Sequence, residues 1–139
     1  MIQLIIGEKG KGKTKILLEQ ANSEVKDING NAVYIDKSKQ HMFELSKHIR
    51  LIDVTDYPID TTEAFTGFLL GIISQDNDLE KIYLDSFLNL MKIDEERAEA
   101  ALTKISEMSD AYKVDFVISI SVTRDQLSEE RKDSIIHEC

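Results

Sequence analysis

Eight residues near the start of the chain, Gly7-Glu8-Lys9-Gly10-Lys11-Gly12-Lys13-Thr14, follow the spacing G-x-x-x-x-G-K-[ST]. Those residue types suit one kind of chemistry, the gripping of a polyphosphate. Glycines let successive backbone N–H groups close around a β-phosphate, the lysine reaches the β- and γ-phosphates, and the final hydroxyl ligates Mg²⁺. All eight residues are therefore candidate nucleotide-binding positions. Lys13 is in addition a candidate catalytic cation, and Thr14 a candidate metal ligand. Lys9 and Lys11, with Lys15, also thicken the positive field around the motif, and as bare surface charges they would do no more than that. The competing reading of the whole stretch is a glycine-rich strand-to-helix turn with solvated lysines.

A phosphate loop needs a strand to deliver it and a helix whose positive end faces the anion. Ile2, Leu4, Ile5 and Ile6 read as a buried parallel strand directly before Gly7, and Ile16, Leu17, Leu18 and Ala21 carry helical spacing directly after Lys13.

A second chemical signal lies in Lys81-Ile82-Tyr83-Leu84-Asp85-Ser86, an apolar strand rising to one carboxylate, the form of a Walker B strand. Parallel α/β sheets place ligands at the carboxyl ends of strands, so Asp85 is expected to hold Mg²⁺ through water from the side opposite Thr14. Strands also end in Asp for turn or capping reasons, and it is the upstream loop that favours the metal role.

Between these signals, Asn31 to Asp36 follows Gly30 and reads as a buried strand ending in an acid. A helical pattern runs through Met42, Phe43, Leu45 and Ser46, and Arg50 to Val54 forms a further short strand. Asp60-Thr61-Thr62-Glu63 has capping-box spacing for a helix carrying Phe65, Phe68, Leu69 and Ile72. Gly67 and Gly71, one turn apart in it, point to a face where another backbone packs closely. From Asp94 a helix sets Ala98, Ala101, Leu102, Ile105, Met108 and Tyr112 on one core face, and Asp115 to Ser121 is a strong strand. Tyr34, Tyr83 and Phe43 read as core aromatics rather than as a stacking platform for a base.

The chain has 139 residues, enough for one three-layer α/β core and too few for a second folded module, so residues 1–139 are expected to form a single nucleotide-binding domain. No apolar run approaches the length needed to cross a bilayer, and the N-terminus runs straight into a strand, which points to a cytoplasmic protein without membrane insertion. One cysteine, Cys139, permits neither a disulfide framework nor a thiolate metal cluster, and His41, His48 and His137 lack ligand spacing. Net charge is −9, unevenly spread: residues 1–50 hold nine Lys and Arg against six Asp and Glu, and residues 51–139 hold eight against twenty. The acidic second half lacks the basic stripe that neutralises nucleic-acid phosphates, so DNA or RNA is not the expected partner.

The order of phosphate loop, second strand ending in an acid, Walker B strand Leu84-Asp85-Ser86 and a further strand ending in Ser121 resembles the RecA/KaiC-like branch of P-loop ATPases. The closing stretch, Val122 to Leu127 and on through Ser134-Ile135-Ile136, looks like the end of that family's core. The resemblance implies an α/β, three-layer P-loop NTPase with a mainly parallel central sheet of five or six strands. In it the phosphate-loop strand lies next to the Ser121 strand, the Walker B strand lies beyond, and the 50–54 strand is an edge addition. It further implies ATP or another NTP and Mg²⁺ as cofactors, Lys13 and Thr14 in the phosphate loop, and Asp85 as the Walker B acid. Asp36 falls where these ATPases hold a catalytic Glu, one methylene shorter than the family's residue. Ser121 stands as a polar sensor of the γ-phosphate or as a loop cap. Arg124 is the candidate arginine finger, with an ordinary surface ion pair as its alternative. A finger supplied by a neighbouring subunit would make the protein a homo-oligomer.

Three functions follow from these residues. The first is a Mg²⁺-dependent RecA-like ATPase that hydrolyses the γ-phosphate, slowly or only when oligomeric. The second is a nucleotide-loaded interaction module without efficient hydrolysis, which the Asp at position 36 and the scarcity of arginine favour. The third is a small nucleoside or nucleotide kinase, against which stands the lack of an arginine-rich lid between Asp85 and Ser121.

Overall fold

The computed structural model describes all 139 residues. The chain runs β1 (Ile2–Ile6), α1 (Lys13–Glu24), β2 (Asn31–Asp36), β3 (Ile49–Asp53), α2 (Thr62–Ser74), β4 (Leu79–Leu84), α3 (Phe87–Met91), α4 (Ala98–Tyr112), β5 (Asp115–Ile120), α5 (Glu129–Lys132) and β6 (Ile135–Glu138). The six strands form one sheet in the order β3-β2-β4-β5-β1-β6. Every neighbouring pair is parallel. The phosphate-loop strand thus lies beside β5 with β4 beyond it, and β3 closes one edge, as the resemblance implies.

Parallel strands stay buried because their crossovers cover both faces, and the two apolar clusters follow that division. On one face Leu17, Leu18 and Ala21 of α1 pack on Ile5, Tyr34, Tyr83 and Val117. On the other, Phe65 and Leu69 of α2, Phe87 and Leu90 of α3, and Leu102 and Ile105 of α4 pack on Ile82, Leu84, Phe116 and Ile118. The architecture is a three-layer P-loop NTPase fold.

Several local expectations are corrected. Residues 37–48 form a string of turns and no helix, with contacts such as Met42 N–H to Lys39 O and Glu44 N–H to His41 O. Of its apolar residues only Leu45 is buried, and Phe43 is 92% exposed, so there is no apolar face to fund a helix and Phe43 is not core. Asn22 of α1 also competes for the segment, donating to Glu44 O and accepting from Ser46 N–H.

The α2 cap sits one residue later than the sequence suggests: Thr61, not Asp60, is the N-cap and accepts from Ala64 N–H. A Cβ on Gly67 or Gly71 would meet nothing within 4 Å, so these glycines face open space and not a packed backbone. The stretch from Asp94 opens as a 3-10 turn over Glu95–Arg97 before α4 begins, and Tyr112 at the end of α4 is 53% exposed. No helix is long and apolar enough to cross a membrane.

Candidate functional site: the phosphate loop and its facing carboxylates

The residues between β1 and α1 turn back over the carboxyl edge of the sheet. Gly10 and Gly12 lie at φ +82° and +87°, in the left-handed region that side chains disfavour, and a Cβ at either would meet no other atom within 4 Å. Their glycine character therefore serves backbone conformation and not clearance from a neighbour. Gly12 is also the N-cap of α1; no side chain caps that end, and its first turn holds no acid. The positive end of α1 is left open towards the cleft, the arrangement that suits an anion.

Lys13, only 8% exposed, folds its Nζ onto the carbonyl of Glu8 at 2.9 Å. Burial lowers its pKa, and the negative charge of Asp85 acts in the opposite direction.

Strand register brings the acids to the loop. In the ladders Ile35 is level with Leu84, and Leu84 with Ile118, so the next residues, Asp36, Asp85 and Ser119, lie side by side near the carboxyl ends of three adjacent strands. Asp85 is 1% exposed, and its carboxylate is held by hydroxyls: Thr14 Oγ1 at 3.1 Å and Ser119 Oγ at 3.0 Å donate to Oδ1, and the Tyr34 phenol at 2.7 Å donates to Oδ2. Ser119 in turn accepts from Ser86 N–H at 2.8 Å. Ser86 itself is left-handed, φ +63°, and this turns the chain from β4 into α3 beneath the cleft. Asp85 and Thr14 are thus direct neighbours.

Asp36 is 3% exposed. Its Oδ1 accepts from Lys37 N–H at 2.7 Å, and Oδ2 has no partner. Burial first, then the charge of Asp85, pushes its pKa up to about 6.

A cleft of about 1010 Å³ opens above these groups, lined by Glu8, Lys9, Gly10, Gly12, Lys13, Thr14, Asp85 and Ser119 on its floor. Its far walls are the α3–α4 connection and the segment after β5, the latter including Ser121 and Gln126. Gln126 Nε2 donates to Glu95 Oε2 and ties the two walls together. Neither Gly7 nor Lys11 lines the cleft. Gly7 lies under Cys139, whose Cβ would be 2.8 Å from an added Cβ.

Two sequence-stated roles acquire a different geometry. Arg124 does not line the cleft: its Nε and Nη2 donate to Oε1 of Glu138 at 3.1 and 3.0 Å, so it is held in the surface pair that was its alternative reading. On β5 the hydroxyl that reaches Asp85 is Ser119, two residues before Ser121. Tyr34 is core, as expected, yet its phenol belongs to the carboxylate cluster. Neither Ser119 nor Tyr34 stands out in the sequence, because only sheet register sets them level with Asp85.

The donor set is hard oxygen, one carboxylate and one hydroxyl, and the chain holds no cluster of three or more His, Cys, Asp or Glu fit to hold a metal alone. That combination suits Mg²⁺, which is bound by one or two protein oxygens together with substrate phosphates.

The all-parallel sheet covered on both faces, with this loop at its carboxyl edge, defines a three-layer P-loop NTPase fold. Among solved structures the chain is similar to the crystal structure of the flagellar accessory protein FlaH from Methanocaldococcus jannaschii, with a TM-score of 0.57 and 16% identity over 93% of this chain and 63% of that one. The chain thus spans less than two thirds of FlaH, and the likeness is one of fold. No family model matches the chain, and no curated protein matches it by sequence.

Proposed function

We propose that this chain binds ATP or another nucleoside triphosphate with Mg²⁺ and acts as a RecA-like ATPase. The observation that carries the reading is the meeting of Thr14 and Asp85 at the open N-terminus of α1, 3.1 Å apart, on the floor of a cleft large enough for a nucleotide. The backbone amides of residues 10–14 would take the β-phosphate, and Lys13 would leave the Glu8 carbonyl for the β- and γ-oxygens. Thr14 and Asp85 would hold Mg²⁺, which supplies charge neutralisation along the phosphates. Ser119, and Ser121 at the cleft wall, would orient groups around the γ-phosphate.

A specific observation favours the second reading, a nucleotide-loaded module with little hydrolysis. The resemblance would give Asp36 the general base's role, but the residue is buried and lies outside the cleft lining. Arg124 is engaged by Glu138, so a finger would have to come from another subunit or a partner protein.

Thermal unfolding with and without Mg-nucleotide tests both readings. Ligand at a hundredfold its dissociation constant stabilises a one-site protein by about 2.7 kcal/mol. Wild type should gain that protection and Lys13→Ala should lose it; protection absent from wild type with every nucleoside triphosphate ends the proposal. Phosphate release from wild type then separates ATPase from loaded module.

A further inference from the structure

Asp85 depends on donors for its alignment, and they are not equivalent. Oδ1 receives three hydroxyls, those of Thr14, Ser119 and, at a longer 3.4 Å, Ser86, whereas Oδ2 receives only the phenol of Tyr34. A carboxylate turns easily about its terminal bond, because that torsion has a broad, shallow profile. Ser119 is anchored by Ser86 N–H, but it touches the same oxygen as Thr14 and cannot alone fix the plane of the group. We propose that Tyr34 is the positioning residue for the metal-binding carboxylate: its buried phenol pins Oδ2 of Asp85 and so aims Oδ1 at the Thr14 hydroxyl. The inference rests on the nucleotide-binding reading above.

Three features of Tyr34 fit this task. The side chain is 0% exposed and its ring stacks on Tyr83, with centroids 6.2 Å apart and planes 20° apart, so the hydroxyl has a fixed address. An ionised carboxylate only accepts, so the 2.7 Å contact can run in one direction, from the phenol to Oδ2. Strand β2 carries it on the α1 face two residues before Asp36, a place from which it reaches Asp85 without entering the cleft. When Thr14 turns from Asp85 to a metal, Tyr34 still holds the other oxygen.

Tyr83 supplies an internal control. It is equally buried and shares the stack, but its hydroxyl donates to Glu24 at 2.6 Å, away from Asp85. Tyr83→Phe therefore removes one buried phenol oxygen without touching the carboxylate.

Titrate ADP into wild type, Tyr34→Phe and Tyr83→Phe, each in Mg²⁺ and in EDTA. Supporting residues around a metal ligand are typically worth 10- to 100-fold in metal affinity. Tyr34→Phe should lower the ratio of the two affinities at least tenfold while binding in EDTA, held by the phosphate loop, is unchanged; Tyr83→Phe should keep the wild-type ratio. An unchanged ratio in Tyr34→Phe, or an equal fall in Tyr83→Phe, overturns the inference. Wild type that binds ADP equally in Mg²⁺ and EDTA overturns it too, and wild type that binds no nucleotide overturns the nucleotide reading as a whole. Should Tyr34→Phe fail to fold, wild type labelled with ¹³C at the tyrosine Cζ answers the same question. The Tyr34 signal should move when Mg²⁺ joins the ADP complex while Tyr83 stays, and a stationary Tyr34 signal overturns the inference.

Discussion

The Thr14 hydroxyl donates to Oδ1 of Asp85 at 3.1 Å across 71 residues of sequence. The contact exists because α1 begins directly over the carboxyl ends of β1 and β4, with β5 between them. On the nucleotide-binding reading proposed above, these two oxygen donors would share one small cation. Thr14→Ala removes the hydroxyl and leaves the loop backbone intact. Its ADP affinity in EDTA should match wild type while the gain on adding Mg²⁺ falls about tenfold or more; Thr14→Ser should restore it. Calorimetric titration reads both, and a full Mg²⁺ gain in Thr14→Ala sinks the shared-cation reading.

Asp36 makes stability depend on pH in an uncommon direction for a carboxylate. Its pKa in the fold is raised to about 6, above the unfolded value near 4, so between these the folded form binds more protons than the unfolded form. Stability must then fall as pH rises from about 4 to about 6 and stay lowered above that. Asp36→Asn keeps an acceptor for Lys37 N–H and drops the buried charge. It should stabilise the protein by up to about 3 kcal/mol at pH 7.5, two pKa units at 1.36 kcal/mol each, and by close to nothing at pH 4. Urea melts at the two pH values decide the matter, and a gain independent of pH would refute the account.

The parts of this protein that are legible from sequence are those whose signal is local. The phosphate loop is contiguous, and its flanking strand and helix declare themselves by periodicity. The strand order follows from the resemblance that the loop and the Asp85 strand support together. What stayed hidden depends on lateral register. Ser119 lies within β5 and Ser121 just beyond it, and only the pairing of Leu84 with Ile118 selects Ser119 as the neighbour of Asp85. The 37–48 segment misleads for the opposite reason: it has helical spacing but exposes Met42 and Phe43, so periodicity without burial did not become a helix. Arg124 could not be assigned before Glu138 was known to lie beside it.

Thr61 is the sole side chain capping the N-terminus of α2, by way of Ala64 N–H at 3.0 Å. Thr61→Ala should therefore cost about 1 kcal/mol, and Asp60→Ala, one residue outside the cap, less than half of that. Equal losses in guanidinium melts of the two variants would return the cap to Asp60.

Gly30 stands where β2 leaves its turn, and an added Cβ would sit 1.9 Å from the carbonyl oxygen of Asp78 and 2.8 Å from Oε2 of Glu80. Moving the Glu80 carboxylate would break its bonds from Asn29 and Gly30 N–H, and the Asp78 backbone is fixed because Asn31 N–H donates to that same carbonyl at 2.7 Å. Gly30→Ala must spread the amino ends of β2 and β4, combining overpacking with a weakened backbone hydrogen bond, for a loss of about 2 to 4 kcal/mol. The phosphate loop and Asp85 lie at the opposite, carboxyl ends of the strands, where Asp85 N–H still bonds the Ile35 carbonyl. Nucleotide affinity of the folded variant should therefore match wild type while its urea midpoint drops. A loss below 0.5 kcal/mol would show that the turn relaxes freely, and a matching loss of nucleotide affinity would show that strain at one end of these strands reaches the site at the other.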